Sequence, residues 1–256
     1  MGKIHVLLKK EELNKEKLQG DKLVVVFDIL LATSTITTAL QYGARTVIPV
    51  LNGDEARQIV RNEKRGSYLL AGEYEGLPIE GFQSPNPKAL KGKVFDKNVI
   101  LSTTNGTVAI RNSEHSKFVF VASLLNTKYV AKQLLKHYQN ETIILVCSGS
   151  SGMFNVEDFY GAGHFIHALI EQSHTDWSLS DSAYAACEFF KSKQNKSAEV
   201  LQSSSVGQML MEFGFDQELE FVSQKDAFPI VPYVKDKRFV VAEQYQKERG
   251  KIHGTN

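Results

Sequence analysis

The sequence predicts a three-layer α/β/α fold built on a mostly parallel or mixed sheet. Three observations predict it. Short apolar runs rich in β-branched residues, such as Leu23 to Phe27, alternate with stretches of helical periodicity as far as about residue 171. The clearest of these runs is apolar at every position, as a strand covered by helices on both faces must be. Several runs end in polar or glycine-rich segments that open the next helix. That arrangement puts ligand-binding groups at the carboxyl edge of an open α/β sheet.

Residues 3–8 alternate weakly and read as a first strand, and 11–18 as a short charged helix. The strand 23–27 ends in Asp28, and Thr33, Ser34 and Thr35 open a helix with Ile36, Ala39 and Leu40 inward. Residues 44–51 form a strand closed by Asn52-Gly53, and 54–65 an amphipathic helix with Ala56, Ile59 and Val60 inward. A short strand at 68–71 precedes a segment, 72–92, rich in glycine and proline. Loops of that length inside a compact domain are often functional. Strands at 98–102, 117–122 and 142–147 alternate with helices from 106, over 126–138, and from about 156 to 171. After 172 the pattern changes. Segments 180–194 and 204–222 read as helices, 239–242 as a final edge strand and 244–256 as a polar tail. The chain reads as one domain over 1–256, with lobes at 1–150 and 151–243 as an option.

The bulk numbers exclude several classes. The 256 residues supply ample core for one large domain, and 42% hydrophobic with 23% charged content is ordinary for a globular chain. A net charge of +1 with mixed signs gives no footprint for nucleic acid. No apolar run approaches a membrane span, and no secretory leader is evident, so no membrane partner is expected. Cys147 and Cys187 read as reduced thiols of a cytoplasmic protein. A homodimer remains an option.

Four polar clusters carry the functional signal. The first is Asp28 with Thr33, Ser34 and Thr35. The second is Gly72-Glu73 running to Glu80-Gly81-Phe82. The third is Ser102, Thr103, Thr104, Asn105, Gly106 and Thr107. The fourth is Cys147 followed by Ser148, Gly149, Ser150, Ser151 and Gly152, with Glu157-Asp158 beyond. If the four strands are parallel, these clusters converge on one edge. Hydroxyls, glycine amides and helix starts then cradle an oxyanion. Asp28, Glu73, Glu80, Glu157 and Asp158 are the candidate ligands of a hard divalent cation, and Asp28, Glu73 and Glu157 the catalytic candidates. Each cluster also has a plain reading as a turn, a helix cap or a dipole complement.

Two familiar phosphatase designs are excluded. The haloacid-dehalogenase design needs a second Asp two residues after the first, where Leu30 stands. A cysteine phosphatase loop needs an Arg six residues after Cys147, where Met153 stands. His164 and His167, at i and i+3, read as an ordinary helix face without a third ligand.

Together the four clusters resemble the 2-phosphosulfolactate phosphatase (ComB) family. The carrying residues are Phe27-Asp28-Ile29-Leu30 with Ala32-Thr33-Ser34-Thr35, Gly72-Glu73 with Gly76-Leu77 and Ile79-Glu80-Gly81-Phe82, Ser102 to Thr107, and Val146-Cys147-Ser148-Gly149 with Gly152, Phe154, Glu157-Asp158 and Gly161-Ala162-Gly163. The resemblance covers nearly the whole chain. It implies Mg²⁺-dependent hydrolysis of a small anionic phosphoester to sulfolactate and phosphate, a step of coenzyme M biosynthesis in methanogens. The chain departs from the family pattern at Leu31, where an Arg is usual, and in the arginine-free loop of Ser150, Ser151 and Met153. Arg45, Lys88, Lys91 and Arg111 are the candidates to supply the missing charge. The alternative is a non-catalytic anion-binding homologue.

Overall fold

A computed structural model describes residues 1–174 and 176–244. The first half alternates as expected: β1 (Lys3–Leu7), a 3₁₀ turn (Lys10–Glu12), α1 (Lys15–Leu18), β2 (Lys22–Phe27), α2 (Ala32–Gln41), β3 (Thr46–Val50), α3 (Gly53–Val60) and β4 (Tyr68–Tyr74). The glycine- and proline-rich segment contains β5 (Leu77–Pro78) and α4 (Pro87–Leu90). Then come β6 (Asn98–Ser102), α5 (Gly106–Asn112), β7 (Phe118–Ala122), α6 (Thr127–His137), β8 (Thr142–Cys147) and α7 (Val156–Gln172). The remainder is β9 (Ser178–Leu179), α8 (Asp181–Ser192), α9 (Ser197–Ser203), α10 (Ser205–Glu212), α11 (Asp216–Val222), β10 (Ile230–Lys235) and β11 (Phe239–Gln244).

These strands form one mixed sheet in the order β5-β4-β6-β3-β11-β10-β7-β2-β8-β1-β9. Strands from both sides of residue 150 share it. On one face, Leu23, Val25 and Phe27 pack with Val130 and Leu134 of α6, Tyr160 and Phe165 of α7, and Phe190 of α8. On the other, Val24 and Val26 pack with Ile36 and Ala39 of α2 and with Ala109 and Ile110 of α5. Across β3 and β6, Ile48 and Ile100 turn to Ala56 of α3 while Val47 and Val99 join the α2–α5 core. This is the expected three-layer arrangement. It explains why β2 is apolar at every position from Leu23 to Phe27, since each fully buried side chain of this kind contributes about 1.5–3 kcal/mol.

The sheet differs from the sequence reading in three ways. First, β11 is not an edge strand. It lies mid-sheet, antiparallel to β10 and to β3. Its partner β10 has no counterpart in the sequence reading. Pro232 interrupts that run, and proline normally marks an edge strand or none. Here Pro232 stands opposite Ala242, and the ladder to β7 is sparse, with Tyr233 opposite Phe120. Second, the expected helix 204–222 is two helices, parted at Gly214, whose φ of 78° a helix cannot contain.

Third, the four strands that end in polar clusters do not all run one way. β7, β2, β8 and β1 are mutually parallel, and so are β3, β6 and β4. The β10–β11 hairpin joins the two blocks through three antiparallel contacts, so the blocks oppose each other. The carboxyl ends of β2 and β6 nonetheless meet: a Cβ on Gly106, which follows β6, would lie 2.4 Å from Oδ2 of Asp28, which follows β2.

The expected polar tail lies outside the described residues beyond Gln244. No helix among the described residues is long and apolar enough to cross a membrane.

Candidate functional site

Asp28 leaves β2 with 6% of its surface exposed. Its Oδ1 accepts the Ala32 N–H at 3.2 Å, at the start of α2. Thr33 closes the same turn. Its hydroxyl donates to the Asp28 carbonyl at 2.9 Å and accepts the Asp28 N–H at 3.0 Å. Ser34 donates to the Ile29 carbonyl at 2.8 Å, and Thr35 to the Leu31 and Pro85 carbonyls. The three hydroxyls of the first cluster therefore shape the loop from inside and are buried.

Glu157 and Asp158 occupy the first turn of α7, where acids usually face water and complement the helix dipole. Both are buried instead, Glu157 with only 1% exposed. Asp158 binds two loops at once: its Oδ1 accepts the Ile29 N–H at 2.8 Å and its Oδ2 the Gly149 N–H at 3.2 Å. Glu157 Oε1 has no hydrogen-bond partner among the described residues. The close seating of α7 depends on Gly161, where a Cβ would stand 2.9 Å from Ile29 Cδ1.

Burial drives the protonation of this cluster. It raises the Asp28 carboxyl to about 6, against hydrogen bonding from Ala32, with the Glu73 charge adding to the rise. Burial also raises Glu157 to about 7, and the Asp28 charge adds to it. Asp158 is pushed well above the usual carboxylate range by burial and by the charges of Asp28 and Glu157. Carboxyls held apart in this way provide both a proton donor and a proton acceptor near neutrality.

The second and third clusters come in from the opposed block. Glu73, at the end of β4, accepts the Thr104 N–H at 2.8 Å, the Thr104 hydroxyl at 3.0 Å and the Gly76 N–H at 2.8 Å. Thr103 and Thr107 cap α5 reciprocally, with N–H to hydroxyl distances of 3.1 and 3.2 Å. Gly106 carries the junction. Its backbone N–H faces the Asp28 carboxylate. A Cβ there would lie 2.4 Å from Asp28 Oδ2 and 2.5 Å from the Ala32 Cβ. No side chain larger than hydrogen permits this approach of α5 to α2.

The fourth cluster is a tight turn. Ser150 and Met153 exchange backbone hydrogen bonds at 3.1 and 2.8 Å, and Gly149, Ser151 and Gly152 have positive φ. The Ser148 hydroxyl is buried without a partner among the described residues. Cys147 is fully buried, and burial pushes its thiol well above the ordinary value, so it is no thiolate nucleophile. His164 and His167 part to different acids, Asp226 at 3.2 Å and Glu171 at 3.3 Å.

Several sequence-predicted residues are placed elsewhere. Glu80 is exposed, and its carbonyl accepts from Arg57 at 3.1 Å. Arg45 pairs with Asp96, Arg111 with Glu55, Lys88 with Gln217, and Lys91 lies over the Tyr42 ring. The cation at the junction is one that the sequence reading passed over. Lys10, just after β1, directs Nζ to Asn105 Oδ1 at 2.8 Å and lowers the Asp28 carboxyl electrostatically. Lys9 Nζ donates to the Gly152 carbonyl at 2.9 Å. The available signal was that the first strand, like β2 and β8, ends at this edge.

The donor chemistry fits a hard cation. The buried oxygens repel one another, and Glu157 Oε1 awaits a partner. Glu73 and Asp158 already accept N–H donors on both oxygens, which leaves Asp28 and Glu157 as the freer pair. Among the described residues no group of three or more His, Cys, Asp or Glu is gathered as a ready metal cage. Mg²⁺ does not require one, since it is usually held by one or two carboxylates, waters and substrate phosphate.

Comparison with known proteins gives matches over most of the chain. The family described as 2-phosphosulpholactate phosphatase matches residues 7–237. A protein of Clostridium beijerinckii, named probable 2-phosphosulfolactate phosphatase, is 33% identical over 236 residues, 91% of this chain and 97% of its own. Proteins of the same name from Carboxydothermus hydrogenoformans and Caldicellulosiruptor saccharolyticus are 37% and 38% identical. The first covers 93% of this chain and 97% of its own, the second 80% and 86%.

Proposed function

The chain belongs to the 2-phosphosulfolactate phosphatase family and is a phosphoric monoester hydrolase, and we propose that it hydrolyses 2-phosphosulfolactate to sulfolactate and phosphate in a Mg²⁺-dependent reaction. The observation that carries this reading is the family match across residues 7–237, which takes in all four polar clusters.

The site supports the chemistry. Asp28, more readily ionised than Glu157, is the side chain to hold the cation, which when bound would offset the phosphoryl charge and polarise a phosphoryl oxygen. Glu157, raised to about 7, retains a proton near neutrality and is the group to hand one to the departing alkoxide. Asp28, raised to about 6, is largely ionised at that pH and accepts the proton of the attacking water. Asp158 holds the loops after β2 and β8 in register through Ile29 and Gly149. The N–H groups of Ala32 and Gly106, at the starts of α2 and α5, hold the Asp28 carboxylate in place.

The test is phosphate release from 2-phosphosulfolactate with Mg²⁺ and with a chelator. Turnover that requires the metal is expected. A protein that hydrolyses unrelated phosphoesters as well as 2-phosphosulfolactate, or that works unchanged in chelator, does not fit this reading.

A further inference from the structure

The substrate of this reading carries phosphate, sulfonate and carboxylate, yet the site is walled by acids. The four polar loops, residues 28–35, 72–86, 102–107 and 147–158, contain no lysine or arginine at all. The two basic positions typical of the resembled pattern are Leu31 and the Ser150 to Met153 turn. A bound cation would offset the phosphate of such a trianion, and its sulfonate and carboxylate still meet the repulsion of the acids.

β1 brings the charge instead. It runs parallel to β8 and ends beside it, and the Lys10 N–H donates to the Ser148 carbonyl at 3.2 Å. The Lys10 side chain is only 12% exposed, unusual for lysine, and its Nζ lies 2.8 Å from Asn105 Oδ1. It therefore bridges the block of β2 and β8 to the opposed block of β6, at the position where Asp28 feels its charge. Its second partner, Glu11 at 2.8 Å, is the more exposed of the two and is a carboxylate that an incoming anion can replace. An ammonium group has three donors, and Asn105 holds one of them in place.

We infer that Lys10 is the specificity-determining cation of this site, binding the sulfonate or carboxylate of the substrate in place of the guanidinium groups that the polar loops lack. This rests on the substrate reading above. Lys10 acts on recognition, so its removal alters the Michaelis constant of polyanionic substrates more than kcat, and more than it alters monofunctional phosphoesters.

The experiment compares the native chain with Lys10→Met and Lys10→Arg, using 2-phosphosulfolactate and glycerol 2-phosphate at fixed ionic strength. Lys10→Met should raise KM for 2-phosphosulfolactate at least tenfold and for glycerol 2-phosphate less than threefold, with a smaller change in kcat. Lys10→Arg should recover most of the loss. An equal KM rise for both substrates, or none for either, overturns the inference while leaving the substrate reading intact. Calorimetric binding of sulfolactate, which needs no turnover, gives the independent readout. Native binding that Lys10→Met does not weaken also overturns the inference. A native chain that turns over only glycerol 2-phosphate defeats the substrate reading instead. Lys10→Gln, checked by circular dichroism, repeats the comparison if the methionine variant misfolds.

Discussion

Asp158 Oδ1 accepts the backbone N–H of Ile29 at 2.8 Å, a link between the start of α7 and the loop that follows β2. The other oxygen takes the Gly149 N–H, so one carboxyl fixes two loops that are distant in sequence. Replacing it leaves at least one buried N–H without an acceptor, at a cost of about 1–3 kcal/mol. Asp158→Ala should lower the thermal midpoint accordingly and reduce kcat strongly. Asp158→Asn, which keeps one acceptor, should lose less stability. Equal melting of all three proteins would remove the clamp.

If Asp28 holds the cation and accepts the proton as proposed, Asp28→Asn should cut Mg²⁺-dependent kcat by about a hundredfold or more while the fold survives. Kinetics at saturating Mg²⁺ provide the check. Unchanged turnover there would exclude Asp28 from the chemistry.

The buried carboxyls predict a stability profile for the metal-free protein. Asp28 rises from 3.8 to about 6 and Glu157 from 4.5 to about 7 on folding. Both are raised, so the folded chain holds protons that the unfolded chain has released between about pH 4 and 7. Their stabilisation is complete below the unfolded values and disappears as pH rises through the folded ones, on the order of 3 kcal/mol for each group. The melting temperature in chelator should fall from pH 5 to pH 8. Glu157→Gln should flatten that fall, and Mg²⁺ should raise the midpoint more at pH 8 than at pH 5. A profile that climbs with pH would contradict the assignment.

Gly106→Ala should be one of the most damaging single-methyl changes in the chain. The added carbon meets the Asp28 carboxylate and the Ala32 methyl at distances that real contacts do not show. Overpacking of this kind costs about 1–3 kcal/mol, and here it also separates the two blocks at the site. Loss of kcat should exceed the loss expected from stability alone, measured well below the melting temperature.

Cys147→Ala should keep most of the activity and lose about 1 kcal/mol of stability, because the thiol is a core atom behind the site. Inactivation with an intact fold would restore the thiol to the mechanism.

Much of this was legible in the sequence because it depends on local signals. The apolar run of β2, the switch to helical spacing after Asp28, and the Gly/Ser loop after Cys147 each declare themselves within a few residues. Three features could not be read that way. Pro232 disguises β10, since its ring speaks against a strand whatever the partner across the ladder. The mid-sheet place of β11 is set by Val47 opposite Val240, a pairing no window contains. Lys10 looks like one of many surface lysines until its bond to Asn105 places it at the junction, where Asp28 feels its charge. The site was legible as chemistry, in its acids and glycines. Its charge balance was not, because that belongs to the way distant strands are laid side by side.

The β10–β11 hairpin also decides what a shortened chain would expose. Without the stretch that begins at Ile230, no strand stands between β7 and β3, and each would present an edge of unpaired backbone groups. The core of α2 and α5 would still span both blocks. A chain cut before Ile230 should therefore keep much of its helical content while offering two open strand edges for pairing with its neighbours.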